Sequence, residues 1–179
     1  NITNFARGFN DCGCSFTLQS IVAENKFEDI FCLFYSFKTL KFLYSEYKGI
    51  TYIENKRMKA IYRKTSLVLS LNTEKLINEN LGEKLKNTKI KQIISRDSFV
   101  SDFIDIANGS LDGIVYKNIP VYNAISISIL CNSLALFTNG FEKTLASKNL
   151  TDEIDIIAGA EILPNLLAWK ILIFIFFRK

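Results

Sequence analysis

Histidine is missing from the 179 residues altogether. That removes Ser-His-Asp and Cys-His nucleophile pairs and any zinc or iron site built on imidazole. It also leaves no side chain that titrates near neutrality at its ordinary pKa. Proline (2) and glycine (8) are scarce, which argues against a disordered or collagen-like chain. Excess charge of one sign is missing too. The 22 Lys+Arg face 18 Asp+Glu, a formal net charge of +4, too mild and too evenly mixed for a nucleic-acid partner. The four cysteines, Cys12, Cys14, Cys32 and Cys131, are spaced neither as a disulfide framework nor as a C-x-x-C pair. Three of them sit in apolar runs, where a free Cys behaves as a small buried hydrophobe. Reduced core thiols in a reducing, cytoplasmic compartment are expected. No basic-then-apolar leader follows Asn1, so no secretory signal is read. The opening Asn1-Ile2-Thr3-Asn4-Phe5 reads as a loop already under way, and the numbering is expected to begin inside a larger domain.

Hydrophobic residues make up 49% of the chain, and the length suffices for a real core. Residues 11–23 alternate weakly and read as a strand, as do the aromatic run 29–37, Lys41 to Glu46, and Ile50 to Ile53. Polar turns at 24–26, 38–39 and 48–49 separate them, and Glu54-Asn55-Lys56 closes the series. Four strands on short turns predict an antiparallel meander.

The pattern changes near residue 66. A strand over Ser66 to Leu71 is followed by Asn72-Thr73-Glu74, which predicts a helix to about Lys86. Strands are predicted at 89–94, 112–116, 134–137 and 154–158. Helices are predicted from Ser98 to Asn108 (stopped by Gly109), from Pro120 to about Cys131 with Pro in the first turn, and from Glu161 to Lys170. The fold class is therefore α/β, a layered sandwich of sheets and helices. The expected regions are 1–65, 66–170 and an apolar tail 171–179, together one partial domain. The run 171–177 falls short of the ~20 apolar residues a spanning helix needs. It is expected to be a terminal strand or an aggregation-prone segment, and no membrane role is expected.

Several segments, in order, resemble the inositol monophosphatase family of magnesium-dependent phosphatases. Residues 1–9 (N-I-T-N-F-A-R-G-F) resemble the family's G-T-T-N-F-x-H-G-F. Tyr35-Ser36-Phe37 sits where the family often has Y-D-P. Residues 48–55 (K-G-I-T-Y-I-E-N) resemble K-G-x-G-A-x-x-N. Residues 98–113 resemble G-S-A-A-L-D-L-A-x-V-A-x-G-x-x-D-G, matching at Ser98, Asp102, Ala107, Gly109, Asp112 and Gly113. Residues 120–124 fall at the W-D-x-A-A-G motif, and Ile157-Ala158-Gly159-Ala160 resembles the late A-G/N segment.

The resemblance implies a stacked α-β-α-β-α sandwich of which this chain is the later two-thirds. It implies magnesium as cofactor, a phosphate monoester such as an inositol phosphate as substrate, and a possible homodimer. Magnesium-assisted hydrolysis needs hard oxygen ligands, and the family's Glu and Asp-Pro-x-Asp ligands would precede Asn1. Its fourth ligand, an Asp, falls at Asn123, which carries no charge. Ile2 stands at the place of the family's catalytic Thr and has no hydroxyl. Tyr116 stands where many members carry a substrate-contacting Glu, and Asp97 and Phe99 replace small residues. Thr3, Asn4 and Ser98 match substrate-binding positions. Read without the resemblance, Thr3 and Asn4 are turn residues and Ser98 is a plain N-cap. Asp102 and Asp105 share a helix face, read as solvated. Asp152-Glu153 with Asp155 reads as a loop cluster, and Lys84 to Lys91 as solvated surface. Two functions stay open: a metal-dependent phosphomonoesterase, and a non-catalytic member of that family with a binding or assembly role. The chain on its own is expected to be inactive.

Overall fold

A computed structural model of the protein describes residues 13–23, 26–46, 49–58, 67–71, 90–95 and 98–159. Two five-stranded sheets dominate it. The first is the expected meander: β1 (Gly13–Ala23), β2 (Lys26–Ser36), β3 (Lys41–Glu46), β4 (Thr51–Ile53) and β5 (Lys56–Met58), each antiparallel to the one before. β5 is an addition to the sequence reading, which ended the series at Lys56. Glu54 and Asn55 have φ of 47° and 66°, the left-handed pair a tight two-residue hairpin needs. The Tyr44 hydroxyl donates to Asn55 Oδ1 at 3.1 Å and holds that turn.

The second sheet contains β6 (Leu67–Leu71), β7 (Ile90–Ser95), β8 (Gly113–Pro120), β9 (Phe137–Thr138) and β10 (Glu153–Gly159), in the order β7-β6-β8-β10-β9. β6 runs parallel to β7 and β8, and β10 runs antiparallel to β8 and β9. Three helices are described: α1 (Phe99–Ala107), α2 (Val121–Ser133) and the short α3 (Glu142–Leu145). α2 packs on β1, β2 and β3 on one side and on β8 and β10 on the other, and α1 packs on β1 and β2. Helices thus fill the space between the sheets. One core runs through all three layers, joining Phe34 and Leu43, Phe103 and Ile127, and Ile114 and Ile156.

A helix flanked by sheets on two sides loses the usual polar stripe, and α2 does so. Val121, Ala124 and every residue from Ser126 to Cys131 are buried. Its serines are satisfied locally or by the first sheet. Ser128 donates to the Ile125 carbonyl at 2.8 Å, Ser126 pairs with Thr17 on β1, and Ser133 pairs with Thr51 on β4 at 2.7 Å.

Several boundaries differ from the sequence reading for local reasons. Pro120 ends β8 and precedes α2 instead of lying within its first turn. The strand expected over 134–137 is mostly a helix-ending turn, in which the Leu136 N–H donates to the Cys131 carbonyl at 2.8 Å and Ala135 has φ 53°. Only Phe137–Thr138 pairs, with β10. α3 was not expected. Of the cysteines, Cys32 and Cys131 are buried and Cys14 is exposed, none of the three in a disulfide, so the buried-thiol expectation fails at Cys14. Cys12, the helices expected at 72–86 and 161–170, and the apolar tail 171–177 lie outside the described residues. Among the described residues no helix is long and apolar enough to cross a membrane.

Candidate functional site

Parallel strands align their carboxyl ends, and open α/β sheets bind ligands outside those ends. In the second sheet Leu71 lies beside both Ser95 and Val115, so β6, β7 and β8 finish toward one edge. Both large helices start there. Ser98 and α1 follow the end of β7, and Asn123 and the first turn of α2 follow the end of β8. The topology therefore sets Ser98 just past the ends of β6 and β7, and Asn123 beyond the end of β8, which runs on in the same direction to Pro120. Thr3, Asn4 and Ile2 lie outside the described residues.

The N-terminal half of α1 is a buried polar patch. Ser98 is 2% exposed and Ser101 4%. The Ser98 hydroxyl donates to Ser101 Oγ at 3.3 Å and makes no side-chain cap to the helix. The Ser98 carbonyl accepts the Asp102 N–H at 3.1 Å. Asp102 is fully buried, which overturns the reading of a solvated face. Its Oδ2 accepts a hydrogen bond from the Tyr116 hydroxyl. Tyr116, on β8, is itself 1% exposed. Tyr116, which the resemblance sets at the place of a substrate-contacting Glu, thus lies in the core and ties β8 to α1.

The rest of the 98–113 segment is also occupied with holding the fold. Ala107 is fully buried. Gly109, with φ 72°, takes the left-handed conformation that ends a helix and favours glycine, and it lets the Ser110 N–H reach the Asp105 carbonyl at 2.8 Å. Asp112 is 1% exposed and clasps β6 reciprocally. Its N–H donates to the Val68 carbonyl at 2.9 Å, and its Oδ2 accepts the Val68 N–H at 2.7 Å. A Cβ on Gly113 would lie 2.8 Å from the Ala158 carbonyl oxygen and 3.2 Å from a Leu69 methyl, so only glycine lets β6, β8 and β10 approach this closely.

The start of α2 is closed by the protein itself. A helix N-terminus offers free N–H groups to an anion, but here the Val121 N–H donates to the Asp152 carbonyl at 2.9 Å and the Tyr122 N–H to the Leu150 carbonyl at 3.2 Å. Asn123 is partly buried in that first turn, and Tyr122 is exposed. The acidic residues nearby have structural partners. Asp152 Oδ2 accepts the Asn149 N–H at 2.9 Å, and Asp155 Oδ1 accepts the Asn118 N–H at 3.0 Å within a β8–β10 bulge.

These donors do not fit magnesium. A magnesium site takes carboxylate oxygens in near-octahedral array. Among the described residues no group of three or more Asp, Glu, His or Cys could hold a metal ion. Asn123 is neutral, and Asp102 and Asp112 are buried against Tyr116 and Val68. No local signal in the sequence marks the Asp112 clasp, the Tyr116–Asp102 bond or the carbonyl cap on α2. Each joins segments 14 to 44 residues apart or a helix to a distant loop.

No protein-family model matches the chain, and no curated protein matches it in sequence. Solved structures do match. The chain is similar to the extragenic suppressor protein SuhB of Bartonella henselae, with a TM-score of 0.68 at 17% identity, covering 95% of this chain and 64% of that one. A protein solved as an inositol monophosphatase–fructose 1,6-bisphosphatase matches at a TM-score of 0.64 and 21% identity, covering 96% and 65%. An IMPase/NADP phosphatase in complex with Mg2+ and phosphate matches at 0.65 and 12%, covering 89% and 59%. The fold is that of the inositol monophosphatase structures, as the resemblance implied. The chain spans about three-fifths to two-thirds of the length of these structures.

Proposed function

We propose that this chain belongs to the inositol monophosphatase group, has a phosphomonoesterase fold, and performs no hydrolysis alone. The supporting observation is the use made of its two best-matching carboxylates. Asp102 is bonded to Tyr116 and Asp112 to the backbone of β6, and both are buried, so both carboxylates are engaged in holding the fold. The carbonyl cap on α2 points the same way. The substrate class this reading implies is a phosphate monoester and the cofactor magnesium; a similar IMPase/NADP phosphatase structure holds Mg2+ and phosphate. By the resemblance Ser98 and Tyr116 would lie beside the substrate and Asn123 beside the metal, with the remaining ligands supplied by other residues. Thr3 and Asn4 remain candidates for contacting phosphate. The buried thiols Cys32 and Cys131, neither in a disulfide, suit a reducing, cytoplasmic setting.

A steady-state assay of residues 1–179 with inositol 1-phosphate and millimolar magnesium tests this reading. No turnover above the uncatalysed rate is expected. Turnover abolished by a chelator would contradict it.

A further inference from the structure

The hairpin between β2 and β3 carries an apolar tip. Ser36 and Lys41 form the last pair of the two strands, so Phe37, Lys38, Thr39 and Leu40 lie past the end of the sheet. All four are exposed, Phe37 by 51% and Leu40 by 67%. The tip is nonetheless fixed in place. The Thr39 N–H donates to Oγ of the buried Ser36 at 3.2 Å. The Phe37 ring meets Tyr35 edge-on, 5.3 Å between centroids. Leu40 closes the loop with φ 56°, a left-handed conformation that glycine adopts freely and a leucine only under strain. Here the strained position holds a leucine whose side chain mostly meets solvent. Strain kept for an exposed apolar side chain points to a use outside the chain.

The charges around the tip are of one predominant sign. The β4–β5 turn lies beside it, since the Glu54 N–H donates to the Phe42 carbonyl at 3.2 Å. Of the charged residues in 36–42 and 53–57, Lys38, Lys41, Lys56 and Arg57 are basic and Glu54 alone is acidic. Glu54 pairs with Lys41 at 3.7 Å, and Lys38, Lys56 and Arg57 are exposed.

We infer that this hairpin tip docks on an anionic lipid surface, with Phe37 and Leu40 entering the headgroup layer and the basic residues facing its charge. The size of the tip favours lipid over a protein partner. Taking ~200 Å² for a whole aromatic side chain, Phe37 and Leu40 together offer about 200 Å² of apolar surface. A standard protein interface takes ~800 Å² from each partner. A peripheral lipid contact needs less apolar area, because charge adds to it. Each Lys or Arg near an anionic surface strengthens binding about fivefold. Lysine suits the position, since its stem can lie along apolar surface while the ammonium stays at headgroup level.

Co-flotation of residues 1–179 with lipid vesicles tests the inference. One set is phosphatidylcholine alone, and the other carries about 30% phosphatidylserine as the anionic lipid. The variants are Leu40→Gly, Lys38→Gln and Ile21→Thr, the last exposed at the opposite end of the same sheet. The wild type is expected to float with the anionic vesicles, and high salt should release it. Leu40→Gly should bind about tenfold more weakly and Lys38→Gln about fivefold more weakly. Ile21→Thr should bind as the wild type does. Leu40→Gly should also melt no lower than the wild type, because glycine relieves the strain. Absence of binding, or equal binding to both kinds of vesicle, would overturn the inference. So would binding that neither tip variant weakens, which would place the contact elsewhere in the chain. A lower melting temperature for Leu40→Gly would overturn it too, by showing that Leu40 is kept for packing.

Discussion

The two sheets of this protein are built from similar material and end in different situations. In the first, one face is packed on helices while the other presents Phe16, Leu18 and Phe42 to solvent. In the second, residues of both faces are buried. Ile114 and Ile156 join the central core, and Leu69, Leu71, Val115 and Ile157, which alternate with core residues along their strands, are 0–1% exposed. The sequence patterns follow this difference only halfway. In the second sheet β6 is a nearly continuous apolar run, and Ile114–Tyr116 on β8 and Ile156–Ala158 on β10 are apolar stretches, as two-sided burial requires. The first sheet's strands are just as apolar, although antiparallel sheets with one wet face normally alternate with polar residues. Among the described residues, the first sheet's strand composition exceeds its burial.

Truncation should separate the two sheets most sharply. Ile157→Ala removes a fully buried side chain and is expected to cost about 3 kcal/mol. Phe42→Ala removes a larger side chain that is nearly half exposed and is expected to cost less than ~1 kcal/mol in the monomer. Urea denaturation of both variants at a concentration where the chain is monomeric checks this. Equal losses would mean that the first sheet's outer face is covered within the chain.

A second contrast concerns the thiols. Cys131 lies buried between the sheets, and burial first, then Glu142 and Cys32, push its thiol well above its ordinary range. The folded state therefore holds this proton to higher pH than the unfolded state does. Stability from this group is intact below the unfolded pKa of ~8.5 and falls as pH rises through and beyond it, by at most ~1.4 kcal/mol per pH unit. Measured between pH 7 and 10.5, the wild type should lose more stability than Cys131→Ala above pH ~8.5. Parallel curves would exclude the effect.

The smallest expected effect lies at the end of α2. Ala135 has φ 53° in a position that glycine occupies without strain. Ala135→Gly, exposed and outside the core, should stabilise the protein by about 1 kcal/mol. A loss of stability would show that the turn is held by contacts other than its backbone.

Much of the fold was legible because it is local. The meander announces itself in turn residues between aromatic runs, and α1 in Ser98 at one end and Gly109 at the other. β5 was missed because Lys56-Arg57-Met58 carries no apolar alternation, and its strand identity comes from a hairpin two residues long. α3 was missed because four residues offer no period to read. The site was less legible than the fold. Asp102 and Asp105 look alike in sequence, three apart on one helix, yet the first is buried because Tyr116 on a strand 14 residues later reaches its carboxylate. Asp112 matched a phosphatase motif on its letter, while its role as a clasp depends on Val68, 44 residues earlier. Motif letters report which residue was kept, and only the partners report what it is kept for.

The central claim is that Asp102 and Asp112 hold the fold and do not hold a metal. Urea denaturation of the wild type, Asp102→Ala and Asp112→Ala, each with and without 10 mM magnesium, tests it directly. The account predicts a wild-type stability unchanged by magnesium and a loss of about 2 kcal/mol in each variant, the cost of leaving a buried hydrogen-bonding group without its partner. Magnesium binding at these carboxylates would instead raise the wild-type stability, by about 2.7 kcal/mol at 100 times the dissociation constant. A rise of that kind, absent from either variant, would contradict the account.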